Sequence, residues 1–300
     1  MDLGISICPI DVTGSELHNS TADGIAFMGT SLIVQGTTID GSGGNGIRCE
    51  GGTCAISDSR INGNQLIGIS GSGTTLTVSR SSLTENRQGG ISFGGGRYDI
   101  TNNFVFRNGN DADATFGGIR LEAPDESSRV EHNTIVFNDM AVGLNPVKAG
   151  GLFCVNNAAP NNLIYNNFEG NNSQPNAQTG GNCNLSGSLV VNGNGTNEMH
   201  FVSPISAPVD YHIADAFSPA VNAGVVSNVS DDIDKDPRSD GLPDIGADEV
   251  VSDRARSRRP FLTNDPADDH CVGTRVRATI APCAGSSRLS PSFRRSHPPM

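Results

Sequence analysis

The residues best suited to chemistry lie between positions 99 and 131. Arg120 and Glu122 alternate on what reads as a short strand, and Arg129 and Glu131 alternate around Val130. Asp99 should stand one repeat before Arg129, and the intervening loops add Asp111, Asp113, Asp125 and Glu126. Arg48 and Glu50 show the same alternation earlier in the chain. A polysaccharide lyase needs a cation to neutralise a uronate and a base such as Arg or Lys. A glycoside hydrolase needs two carboxylates flanking one glycosidic bond. Arg120, Glu122, Arg129, Glu131 and Asp99 offer these groups and are the ligand-binding candidates; no residue is assigned a catalytic role. The competing reading is structural, because alternating Arg and Glu on a sheet face make a solvated ladder of ion pairs.

Asp232, Asp234 and Asp236 have the i, i+2, i+4 spacing of a calcium loop. The pattern breaks at Pro237, where the turn Gly belongs, and at Pro243, where the bidentate Glu belongs. These three Asp stand as the metal candidates, with Ca2+ the ion implied, against a plain acidic surface loop. His18, His200 and His212 are separated in sequence and suggest no Ser/His/Asp arrangement. Gly-rich stretches such as 93–96 fall between strands and read as turns, not phosphate loops.

The elements that must position these groups are set by a 22-residue repeat. Leu17, Ile39, Ile61, Leu83 and Val105 fall on one lattice; Ile10, Leu32, Cys54, Leu76 and Tyr98 on a second; Val12, Val34, Ile56, Val78 and Ile100 on a third. A Gly-Ile step recurs at Gly24, Gly46, Gly68 and Gly90. Around these positions apolar and polar residues alternate over short runs, the signature of strands with one face inward. Each repeat thus holds about three short strands, and stacked repeats make a coil of parallel sheets rising roughly 4.8 Å per rung. Polar columns keep the same step. Asn64, Asn86 and Asn108 follow Ser20 and Ser42 and continue to Asn138 and Asn167. Thr37, Ser59, Ser81, Asn103, Asn133 and Asn162 form a second column. Stacked amides can bond to one another and satisfy buried turns, and Asn tolerates the left-handed conformation of a sharp bend. Between Val105 and Ile164 the period lengthens through loops such as 110–115 and 123–128, which leave the coil intact.

Composition agrees with a thin continuous core: hydrophobic content is 35%, Gly numbers 37 and Trp is absent. The net charge is −12, and the acidic body argues against a nucleic-acid partner. No run of 18 apolar residues suggests a transmembrane helix. Of seven Cys, Cys49 with Cys54 and Cys154 with Cys183 could pair, although Cys54 replaces Leu on its lattice and reads equally as a small inward hydrophobe.

On these columns and Gly-Ile steps, residues 3–170 resemble a right-handed parallel β-helix of the pectate-lyase type. Handedness comes from that resemblance and from the general bias of parallel crossovers. A second resemblance covers 200–250: Phe201-Val202, Asp210-Tyr211-His212-Ile213, Ser218-Pro219-Ala220-Val221-Asn222-Ala223-Gly224, then Asp232 to Arg238 and Asp244 to Glu249. This ordered set is similar to the closing segment of bacterial β-helix proteins of the choice-of-anchor Q group. The resemblance implies a terminal rung of a secreted or surface-attached protein, with a sorting anchor to follow. Here nothing after 250 resembles such an anchor. Residues 251–300 hold nine Arg, no Lys and four Asp, lack any lattice and read as a disordered tail. They are either a basic interaction tail or a stretch outside the native reading frame. The motif clusters of β-helix polygalacturonases and alginate epimerases are absent. The lattice already runs at Ile10 with no signal peptide before it, so a chain truncated at its N-terminus, whose full form is exported, is expected.

The sequence therefore predicts an all-β right-handed parallel β-helix over 1–250. The function it suggests is extracellular or cell-surface glycan or envelope binding. A polysaccharide lyase or hydrolase, and a structural spacer, are the alternatives.

Overall fold

The computed structural model describes residues 2–6, 9–125, 127–143, 148–193, 197–238, 241–250 and 278–280. The coil is present, and each regular rung lays one short strand on each of three faces. In one rung these are Ile47–Glu50, Thr53–Ser57 and Arg60–Asn62. In the regular rungs each strand pairs in parallel with its equivalent in the next rung. On the third face the register runs Leu17, Ile39, Ile61, Leu83, Val105, Ile135, Ile164, Val190. The first five of these form one interior file, none more than 7% exposed. On the first face Ile25, Ile47, Ile69, Ile91, Ile119 and Leu152 stack likewise. The first and second faces merge into one sheet because Ile69–Ser79 and Ile91–Thr101 run unbroken round the corner between them. A single rung cannot bury its apolar side; stacked rungs do it jointly.

The Gly of each Gly-Ile step is required by close approach. A Cβ at Gly46 would stand 2.5 Å from Ile61 Cγ2 and 2.7 Å from the Gly68 carbonyl oxygen. The Asn columns are continuous ladders. Asn64 Nδ2 donates to Asn86 Oδ1 (2.8 Å), Asn86 to Asn108 (2.9 Å), Asn108 to Asn138 (3.0 Å) and Asn138 to Asn167 (2.9 Å). The ladder ends on Gln178 Oε1, beside the one-turn helix Pro175–Gln178. The second ladder runs from Asn103 through Asn133 to Asn162 and ends on Ser188. One expectation needs correction. The left-handed residue of each bend is not the ladder Asn but the residue before it: Asp58, Arg80, Asn102, His132 and Asn161 at one corner, Glu85, Arg107, Phe137 and Asn166 at the other. The ladder Asn stays in ordinary backbone so that its amide can lie along the stack.

Both anticipated cysteine pairs, Cys49–Cys54 and Cys154–Cys183, are disulfide-bonded. Cys49 and Cys54 also fill inward positions, so the two readings of these residues hold together. Cys8, Cys271 and Cys283 lie outside the described residues.

The 200–250 segment, expected to form a terminal rung, adds none. Its strands Phe201–Ser203 and Asp210–Ile213 pair antiparallel with each other, and the segment folds back across the outside of the third face. The reason is apolar surface. Phe104, Phe106, Val136, Leu163 and Tyr165 turn hydrophobic side chains outward there, and Met199, Phe201, Tyr211, Ile213, Ile233 and Ile245 bury them in a second core. We call this segment the clasp. Of the 251–300 stretch, read from composition as a disordered tail, only Ala278–Ile280 is described; it pairs antiparallel with Ile10–Thr13. The rest lies outside the described residues.

Candidate functional site

The outward side of the first face carries two matched charge pairs. Ala26, Arg48, Ser70, Ser92, Arg120 and Phe153 stack in one column; Met28, Glu50, Ser72, Gly94 and Glu122 stack in the next. Period-two alternation puts each Arg and the Glu two residues later on the same side of the sheet. Arg48 binds Glu50 Oε1 through Nη1 (2.9 Å) and Asp23 Oδ2 through Nε (2.6 Å). Arg120 Nη2 binds Glu122 Oε1 (2.9 Å), which also accepts from Lys148 Nζ (2.7 Å). Lys148 in turn lies 5.0 Å from the centre of the Phe153 ring. Sequence reasoning missed Lys148, because it lies off the repeat lattice. Between the two pairs the sheet presents only Ser70, Ser72, Ser92 and Gly94.

The electrostatics are those of settled ion pairs. The hydrogen bond from Lys148, helped by Arg120, holds the Glu122 carboxyl below its ordinary value. Asp23, chiefly through its hydrogen bond, raises the Arg48 guanidinium. Burial works against Arg129, yet Asp99 outweighs it and holds that guanidinium above its ordinary value.

The sequence candidates do not converge as one group. Arg120 and Glu122 face Ser92 and Gly94, whereas Arg129 faces Asp99 at the other end of the same strand, beyond the bend at Gly95 and Gly96. Arg129 grips Asp99 with two bonds, Nε to Oδ1 at 3.1 Å and Nη2 to Oδ2 at 2.8 Å. Glu131, expected to point outward into the site, is 7% exposed and lies under the clasp, where it accepts a hydrogen bond from Ser227. The loop acids also pair locally: Asp113 with Arg87, Asp111 with Asn171, Asp125 with Ser127. Glu126 lies outside the described residues.

The Asp-rich motifs of the clasp are mostly internal caps. Asp232 is fully buried. Its Oδ1 accepts the backbone N–H of Asp234 and of Asp236, each at 2.8 Å, and its Oδ2 accepts that of Glu249 at 3.0 Å. Asp244 accepts from the Asn222 and Val250 amides (2.6 and 2.7 Å). Arg238 and Glu249 form an ion pair at 2.7 Å with both side chains 1% exposed. Arg238 further donates to Asn102 Oδ1, Gly246 O and Asp244 O, so one guanidinium ties the clasp to itself and to the coil. Among the described residues Asp232, Asp234 and Asp236 are not gathered as one ligand set, because the Asp232 carboxylate is turned inward onto backbone amides. Instead Asp234 joins His212 and Asp248, whose ligand atoms all lie within 4.8 Å of one another. His212, unremarkable in sequence, was detectable only as the i+2 neighbour of Asp210 on one strand. Among the described residues no helix is long and apolar enough to cross a membrane.

No curated protein matches the chain. The crystal structure of pectate lyase Pel9A is similar at 18% identity with a TM-score of 0.47, over 79% of this chain and 70% of that one. A family model described as right handed beta helix region matches residues 3–105. With that match and an unbroken parallel register on the third face from Leu17 to Val190, the stacked rungs have the fold of a right-handed parallel β-helix.

Proposed function

We propose that the protein is an extracellular or cell-surface β-helix that holds a glycan across its first face without cleaving it. One observation carries this reading: two Arg–Glu pairs, three rungs or about 14 Å apart, bracket a floor of Ser70, Ser72, Ser92 and Gly94. Each cation already faces a carboxylate, so the strip offers neighbouring donors and acceptors with little net charge. That pattern suits sugar hydroxyls better than a run of uronates, which the net charge of −12 would also repel.

Two observations support binding over catalysis. A β-elimination needs a cationic side chain that can give up its proton, and carboxylates push Arg48 and Arg129 the other way. A hydrolase needs a carboxyl raised to act as an acid, and on this strip Glu122 is lowered. Two disulfides support an oxidising, extracytoplasmic setting.

The test is a panel of neutral and acidic polysaccharides, with and without calcium. Retention is read by affinity electrophoresis, and cleavage by unsaturated or reducing ends. The expected result is retention without product, weakened at least tenfold in an Arg48→Ala/Arg120→Ala double variant. Released ends would make the protein a lyase or hydrolase, and a blank panel would leave a structural spacer; either result overturns the proposal.

A further inference from the structure

The clasp brings three potential metal ligands together from three separate stretches of chain. His212 sits on the strand Asp210–Ile213, Asp234 on the loop after Asp232, and Asp248 near the end of the clasp. We propose that His212 Nε2, Asp234 and Asp248 hold a divalent transition-metal ion that clips these three stretches together over the third face.

The imidazole is aimed for the purpose. Asp210 Oδ1 lies 2.5 Å from Nδ1, and the Phe104 ring packs edge-on at 4.9 Å, which leaves Nε2 turned to Asp234 Oδ2 at 3.1 Å. A carboxylate on the far nitrogen of a metal-binding histidine is the usual outer-shell arrangement: it fixes the ring and makes the ligating nitrogen more basic.

A second, separate observation is the local charge. Asp232 is fully buried next to these groups, and its oxygens take only backbone N–H bonds. The nearby cations are committed elsewhere, Arg238 to Glu249 and Lys235 to Asp58. Asp210, Asp234 and Asp248 surround the one imidazole of His212, and a dication would restore the balance of charge. The donor set also selects the metal. Calcium takes oxygen ligands, whereas one imidazole with two carboxylates suits zinc or manganese and leaves positions for water. Asp248 already accepts the Ile213 amide at 2.7 Å, so its carboxylate is positioned before any metal arrives.

The experiment uses the full chain, stripped with chelator and then titrated with ZnCl2, MnCl2 or CaCl2. Bound metal per chain is measured after gel filtration, and affinity by calorimetry. One Zn2+ or Mn2+ per chain is expected, with calcium at least tenfold weaker and melting raised by the transition metal. Asp234 is 46% exposed, so Asp234→Asn should fold normally, which circular dichroism verifies, and should lose the bound ion. Asp210→Asn should weaken affinity by about 10- to 100-fold. Absence of stoichiometric metal, a preference for calcium, or binding unchanged in folded Asp234→Asn would each overturn the proposal.

Discussion

The third face has two halves that share one interior and differ outside. In the first four rungs the residues flanking the inward file are Glu16 and His18, Thr38 and Asp40, Arg60 and Asn62, Ser82 and Thr84. In the next three they are Phe104 and Phe106, Thr134 and Val136, Leu163 and Tyr165. The inward members, from Leu17 to Ile164, are all aliphatic. The inward file makes the coil; the outward residues decide what covers it. From Glu16 to Asn62 the polar flanking residues reach solvent at least in part, while Ser82 and Thr84, at the boundary with the covered half, are buried. Where they are apolar, the chain returns from as far as 136 residues away, as Arg238 does to reach Asn102. The same strand geometry thus serves as an open wall in one half and as a floor for a second core in the other.

The sharpest way to break this contrast is to remove the ion pair that fastens the cover. Arg238→Ala leaves Glu249 buried without its partner, and such losses cost about 3–5 kcal/mol. Urea unfolding should show that loss, and a value under about 1 kcal/mol would mean the clasp is held by its apolar side alone. The apolar side has its own test. Phe106 packs against Tyr211 at 4.8 Å between ring centres, and Phe106→Ala should cost about 3 kcal/mol. Thr38→Ala, at an outward position of the open half, should stay within about 0.5 kcal/mol. Equal effects at the two sites would deny that the halves differ.

A histidine beneath the clasp gives the next largest effect. His132 has no exposed side-chain surface, and burial, with the nearby Arg238 charge, pushes it down to about 3 from 6.5. The unfolded chain therefore takes this proton first. The stability His132 contributes is complete above pH 6.5 and is lost as pH falls toward 3. The slope is about 1.4 kcal/mol per pH unit, or about 2 kcal/mol by pH 5. Asp232 and Glu249, both raised to about 7, act with the opposite sign over part of that range. The readout is thus the difference between wild type and His132→Asn, a residue that tolerates the left-handed backbone found there. Parallel pH curves for the two proteins would show that His132 is not sealed in.

The coil was legible because its cause is local and repeated: every inward residue occupies the same phase, and phase survives in sequence. The ladders were legible for the same reason. The cover left a weaker mark. Phe104-Val105-Phe106, Thr134-Ile135-Val136 and Leu163-Ile164-Tyr165 are bulky at all three positions. Alternation cannot turn all three inward, so such runs signal burial on both sides. The candidate site was less legible. The Arg–Glu alternation located both pairs on the first face, but the bend at Gly95 and Gly96 separates Arg129 from them, and Glu131 is covered by a segment far along the chain. Asp spacing suggested a cation loop because sequence shows which carboxylates are near one another, and not which backbone amides will reach them.

The smallest expected effect lies on the open half and runs opposite to His132. His18 and Asp40 stand one above the other on adjacent rungs, with His18 Nδ1 2.7 Å from Asp40 Oδ1. The hydrogen bond to Asp40 is the main cause raising the His18 value above 6.5, with Glu16 assisting and partial burial opposing. Here the folded chain holds the proton more tightly than the unfolded one. The stabilisation is fully present below pH 6.5 and disappears as pH rises through the raised value. Because the pair is open to water, screening keeps it below about 1 kcal/mol. Added salt should shrink it further, since exposed charges are screened within about a Debye length. Proton NMR of the imidazole should show His18 titrating above 6.5 in wild type and nearer 6.5 in Asp40→Asn. A His18 value unchanged by Asp40→Asn would mean that the outward residues of the open half stand side by side without interacting. The two histidines are then a contrasting pair of probes: the neighbouring Asp40 and Glu16 carboxylates raise His18, while burial under the clasp, with the Arg238 charge, lowers His132.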